Sequence, residues 1–205
     1  MPVHLLRVGG LVTTNDRELM EISRSPICPL RMKTSMDKRF MFVRLGYSYR
    51  IGEFEGVIGL DRLENREFIM GTRKDNAAYL TANLQDVQDY LQLPQYPEYV
   101  DHSFMMYPLV IKESAPFTRR EITQHLERNN IETRPMMPLL NQPLYKKLFG
   151  DLEADYPVAH RINRCGFYVG CHHGLRRAQL DKIIDSIHGF LKKSLQICRH
   201  GIWNS

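Results

Sequence analysis

Hydrophobic positions recur along this chain at different spacings, and each spacing predicts a different element. Ala77, Leu80, Leu84, Val87 and Leu91 step by three and four residues, which lays them along one face of a helix. The helical stretch is expected to start near Gly52, to break at Gly71-Thr72, and to end at Pro94 and Pro97. Those prolines lack an amide donor and bias the residues before them toward extended backbone. From Ser103 to Lys112, Phe, Met, Tyr, Leu, Val and Ile crowd together, the pattern of a largely buried strand. Leu180, Ile183, Ile184, Ile187 and Leu191 return to helical spacing and predict a last amphipathic helix.

Shorter signals fill the intervals. Leu11-Val12-Thr13-Thr14 is β-prone, and Asn15 with Glu18 has the spacing of a capping box, so a strand should run into a helix over about 16–23. Ser25-Pro26 stops that helix, and the aperiodic stretch after it reads as a loop. Thr118 with Glu121 is a second capping box, opening a helix to about Asn129 with Ile122 and Leu126 turned inward. "NNIETRP" predicts a short strand; a proline-rich loop follows, then a short helix at "YPVAHRINRC" and a strand at "GFYV". Helices and strands alternate, so the expected class is α/β, divided at "LPQYPEY" into a first part, 1–94, and a compact second part, 95–205.

Composition narrows the partners. With 28 Lys and Arg against 23 Asp and Glu, the chain carries a net charge of +5, dispersed rather than gathered into a stripe with stacking aromatics. That suits an anionic small ligand and argues against nucleic acid. No apolar run reaches the roughly 20 residues a membrane span needs. Cys28, Cys165, Cys171 and Cys198 form no C-x-x-C pair and no signal region opens the chain, which implies a reducing cytoplasm.

The one constellation that invites a metal is Cys171-His172-His173, with Cys165 nearby. Adjacent side chains on an extended segment point to opposite faces, and no second soft-ligand pair exists, so no metal site is expected. Arg176-Arg177 places two positive charges at the start of the last helix, where an acidic or hydroxyl cap is favoured. An anionic ligand there and simple drift explain this equally well.

The runs "GGLVTTNDRELMEI", "RLGYSYRIGEFEGVIGLDRLENREFIMGTRKDNAAYL", "HSFMMYPLVIK", "NNIETRPMMPLLNQPLYKKL", "YPVAHRINRCGFYVGCHHGL" and "QLDKIIDSIHGFL" follow one another in this order. In this they resemble the C-terminal half of the DegT/DnrJ/StrS sugar aminotransferases, over about residues 9–193. The resemblance implies part of a fold type I, pyridoxal-phosphate-dependent transferase acting on nucleotide-linked keto-sugars: the end of the large domain, connecting helices and a small C-terminal α/β domain. It implies a homodimer or a separately encoded N-terminal half as partner.

In that family the Schiff-base lysine lies a few residues before a Gly-Glu-Gly-Gly turn, whose last two glycines resemble Gly9 and Gly10. Counting back reaches Pro2, and "MPVHLL" matches neither the lysine segment nor the histidine of dehydratase relatives. The expectation is a truncated or split enzyme with no catalytic residue of its own and no covalently held cofactor, because only an amine forms the imine. None of Lys33, Lys74, Lys112 and Lys146 is expected to replace it. By the same resemblance Ser48, where the family more often has Asn, and Arg50 contact the cofactor phosphate across a dimer interface. Arg134, His172 and His173 fall near the substrate cleft. On the residues alone, Arg134 is equally an exposed structural arginine, and the histidines equally ordinary structural ones.

Overall fold

A computed structural model describes residues 12–24, 51–136 and 142–199. By contacts the chain divides into Met1–Arg66 and Glu67–Ser205, so the expected boundary at 94/95 falls inside the second unit.

The first unit carries α1 (Arg17–Arg24) and α2 (Glu53–Glu64). Val12 to Thr14 form no strand and are exposed. The cap of α1 is Asp16 and not Asn15: its Oδ1 accepts from the amides of Glu18 (2.8 Å) and Leu19 (3.1 Å). A carboxylate satisfies two otherwise unpaired amides and faces the positive end of the helix dipole, which an Asn amide matches only in part. No residue of α2 is buried, and Phe54, Val57, Leu60 and Leu63 are exposed along it.

The second unit is built on α3 (Arg66–Asn83), a short 3-10 turn (Gln85–Val87), β1 (Leu91–Gln92), β2 (Tyr107–Ile111), α4 (Arg119–Arg128), β3 (Thr133–Pro135), α5 (Pro143–Phe149), α6 (Pro157–Cys165), β4 (Gly166–Val169) and α7 (Arg177–Arg199). The strands form one antiparallel sheet in the order β1-β2-β4-β3. Tyr107, Leu109, Ile111, Phe167 and Val169 present its buried face, and α4 packs against α7. With Leu80, Leu84, Ile122, Leu126, Leu180 and Ile187 they make one core. Each such side chain contributes about 1.5–3 kcal/mol when fully buried.

Several expectations shift. The helical break falls at Asn65, whose Nδ2 donates to the Asp61 carbonyl (2.9 Å), and α3 runs uninterrupted through Gly71. α3 stops at Asn83, well before the prolines. Leu84, Val87 and Leu91 stay buried, but on the 3-10 turn and on β1, so the apolar spacing outlasts the helix that it resembles. β2 is confined to Tyr107–Ile111; before it Phe104 is buried at a φ of 43°, a left-handed conformation that ends any extended run. The loop after β3 contains α5, opened by Pro143 in its first turn, where a missing amide costs nothing.

The other signals hold. Both hydrogen bonds of the Thr118–Glu121 capping box are present, and Ile122 and Leu126 are buried. Gly166 joins α6 to β4 where a Cβ would meet the Ile162 carbonyl at 2.5 Å, so a side chain is excluded there. The Arg119 guanidinium donates to the carbonyls of Asn163 and Gly166 and ties the end of α6 to the first turn of α4.

Candidate functional site

β4 delivers the segment 170–176, Gly-Cys-His-His-Gly-Leu-Arg, between the sheet and α7. Its shape comes from a tight turn in which the Leu175 amide donates to the His172 carbonyl (3.1 Å). Two bonds anchor it to α3. Cys171, fully buried, donates from Sγ to the Arg73 carbonyl (3.4 Å). The Nδ2 of Asn76 donates to the His172 carbonyl (3.0 Å). Burial pushes the Cys171 thiol up to about 11, despite the opposing charge of Arg73, so this cysteine is a packing group and not a thiolate nucleophile.

The two histidines make different contacts at the two positions of this turn. His172 accepts at Nδ1 from the Gly174 amide (3.2 Å). His173 meets Phe68 of α3 edge to face, ring centroids 6.2 Å apart. Both are half-buried. Among the described residues no cluster of three or more His, Cys, Asp or Glu stands close enough to hold a metal ion.

Arg134 sits on β3 opposite Tyr168 of β4. Its Nε (3.0 Å) and Nη2 (2.8 Å) both donate to Glu132 Oε1. This bond, then the charge of Glu132, raises the guanidinium above its ordinary range. Arg134 is exposed, and its charge is partly neutralised before any ligand arrives. Ser48 and Arg50 lie outside the described residues.

Arg176 and Arg177 have local partners. The Arg176 amide donates to Gln179 Oε1 (2.8 Å), a cap supplied from within the helix. Arg177 lies over the Tyr79 ring, 3.6 Å from its centroid, while the Tyr79 hydroxyl donates to Asp181 (2.6 Å). Asn76, which anchors this loop, and Tyr79, which meets the start of α7, were not singled out by sequence. A signal existed for Asn76: it is a polar residue on the helical face shared by Ile69, Ala77 and Leu80.

None of the described lysines is buried, so none of them offers a desolvated amine for an imine with pyridoxal phosphate. Lys74 pairs with Asp101, and Lys146 with Asp151 and Glu153. The Asp151 hydrogen bond raises the Lys146 amine above its ordinary range and keeps it charged.

The model of the DegT/DnrJ/EryC1/StrS aminotransferase family matches residues 6–188. The GDP-perosamine synthase of Caulobacter vibrioides is 28% identical over 87% of this chain and 47% of its own length. A GDP-4-keto-6-deoxy-D-mannose 3-dehydratase of Yersinia pseudotuberculosis is 27% identical over 90% of this chain and 50% of its own. Among solved structures, Helicobacter pylori PseC, an aminotransferase involved in the biosynthesis of pseudoaminic acid, superimposes with a TM-score of 0.75 at 20% identity, over 88% of this chain and 48% of that one. The chain thus spans about half the length of these relatives. Among the described residues no helix is long and apolar enough to cross a membrane.

Proposed function

Because the chain belongs to the DegT/DnrJ/EryC1/StrS aminotransferase family, we propose that it forms the cleft wall of a pyridoxal-phosphate enzyme acting on nucleotide-linked keto-sugars, with the imine-forming lysine supplied from outside the described residues. The observation that carries this is the family match, which takes in the histidine loop and the first half of α7. Relatives named as a GDP-sugar synthase and a GDP-sugar dehydratase support a nucleotide-sugar substrate in amino- or deoxysugar synthesis for surface polysaccharide. In this reading His172, His173 and Arg134 belong to the substrate side, and Ser48 and Arg50 to the phosphate of a cofactor bound by the partner.

The outward apolar residues of α2 support a second reading, a non-catalytic association module that keeps the family's dimer surface. A helix with no buried residue and four large apolar ones exposed is suited to being covered. Mixing the purified chain with the separately produced N-terminal half of the Caulobacter relative separates the two. Amino transfer to a GDP-linked keto-sugar, absent from either part alone, supports the first. Association without turnover supports the second, and a monomer indifferent to that fragment removes both.

A further inference from the structure

Asn76 is a polar side chain only 7% exposed, on a helix face otherwise given to the core. Burying an amide is costly unless its hydrogen bonds are made, so the bond that Asn76 makes is part of what holds it there. It donates to the carbonyl of His172, an acceptor already used by the Leu175 amide. The carbonyl at the head of the turn therefore holds two donors, one from the loop and one from α3. The neighbouring Cys171 bond to the Arg73 carbonyl, one helical turn away on α3, holds the same segment from its other end.

The consequence falls on the His172 ring. The turn aims the Gly174 amide at Nδ1 (3.2 Å), so the neutral imidazole that accepts there carries its proton on Nε2. A Cβ on Gly174 would stand 3.2 Å from Nδ1 and 3.4 Å from Cε1, a tight contact that would push the ring away by a few tenths of an ångström. Backbone geometry, set by Asn76, thus selects one tautomer of one half-buried histidine.

We propose that Asn76 is a positioning residue whose bond to the loop carbonyl fixes His172 as a neutral Nε2–H donor for an oxygen of the ligand. The assignment of a ligand to this loop rests on the functional reading above, with a sugar hydroxyl or phosphate oxygen as the group received. The tautomer does not rest on it.

The test is ring-nitrogen NMR of the full chain labelled with 15N-histidine, at a pH where the imidazoles are neutral. His172 is assigned from His172→Gln. Wild type should show an acceptor-type Nδ1 and a protonated Nε2 at His172. Asn76→Leu, which removes the donor at similar volume, should lose that separation and give the average of exchanging tautomers, with His125 unchanged. Asn76→Asp replaces the donor with an acceptor and should do the same if the Leu variant does not fold. A wild-type His172 protonated at Nδ1, or a tautomer unmoved in a folded Asn76 variant, overturns the proposal. GDP, added as probe, reports separately on the functional reading. Perturbed His172 and His173 signals, with affinity about tenfold weaker in the variant, the worth of one hydrogen bond, support it. Silence in wild type removes the ligand and leaves the tautomer result to decide the role of Asn76.

Discussion

Tyr107 and Cys171 keep their protons beyond the ordinary range because both are buried in the core. Burial pushes Tyr107 up to about 12, against the lowering effect of the Thr81 hydroxyl 2.8 Å away, and Cys171 up to about 11. The sign of the linked stability follows. In the unfolded chain the thiol loses its proton near 9.0 and the phenol near 10.0, so above these values unfolding releases protons that the fold retains. The contribution is complete below about pH 9 and is lost as pH rises toward the folded values. Thermal melts should show a falling midpoint above pH 9, a slope reduced in Cys171→Ala and again in Cys171→Ala/Tyr107→Phe. An identical slope in the double variant would remove these residues as its source. In the fold, Cys171 should resist alkylation at pH 8 until denaturant is added. The chemistry of this loop was legible only in part. "CHHG" marked the histidines, but their division of labour depends on Asn76 and Arg73, remote in the chain, and a lone asparagine on a helix announces no partner.

Helices with a cap or a long apolar stripe were among the elements that sequence resolved. α4 has its capping box and α7 its isoleucine stripe, and both formed where the residues place them. α3 misled at its end because Leu84, Val87 and Leu91 keep a helical spacing while serving the same core from a 3-10 turn and a strand. Periodicity reports which residues face inward and not which backbone carries them. α5 was hidden by prolines that read as loop, although Pro143 opens a helix. Thr118→Ala should lower stability by about 0.5–2 kcal/mol, and Leu126→Ala on the same helix by about 2–5 kcal/mol. Chemical denaturation of both variants checks the ranking, which reverses if α4 is held by its cap more than by its face. Gln179→Ala should cost a similar 0.5–2 kcal/mol, because no hydroxyl or carboxylate caps α7 in its place.

At the scale of the whole molecule, the chain spans about half the length of its relatives; its second unit has a core around an antiparallel sheet, and α2, in the first, carries large exposed apolar side chains. Membership was legible because six motifs in order constrain far more than composition does. Of the expected site residues, Ser48 and Arg50 lie outside the described residues, and Arg134, expected near the substrate cleft, is paired with Glu132. The proposed role as a cleft wall implies that none of the described lysines anchors the cofactor. Incubating the purified chain with pyridoxal phosphate, reducing with borohydride and mapping modified lysines by mass spectrometry tests it directly. The prediction is no imine absorbance and only scattered, substoichiometric labelling of surface lysines. One lysine labelled stoichiometrically, in a chain that transaminates unaided, would contradict it.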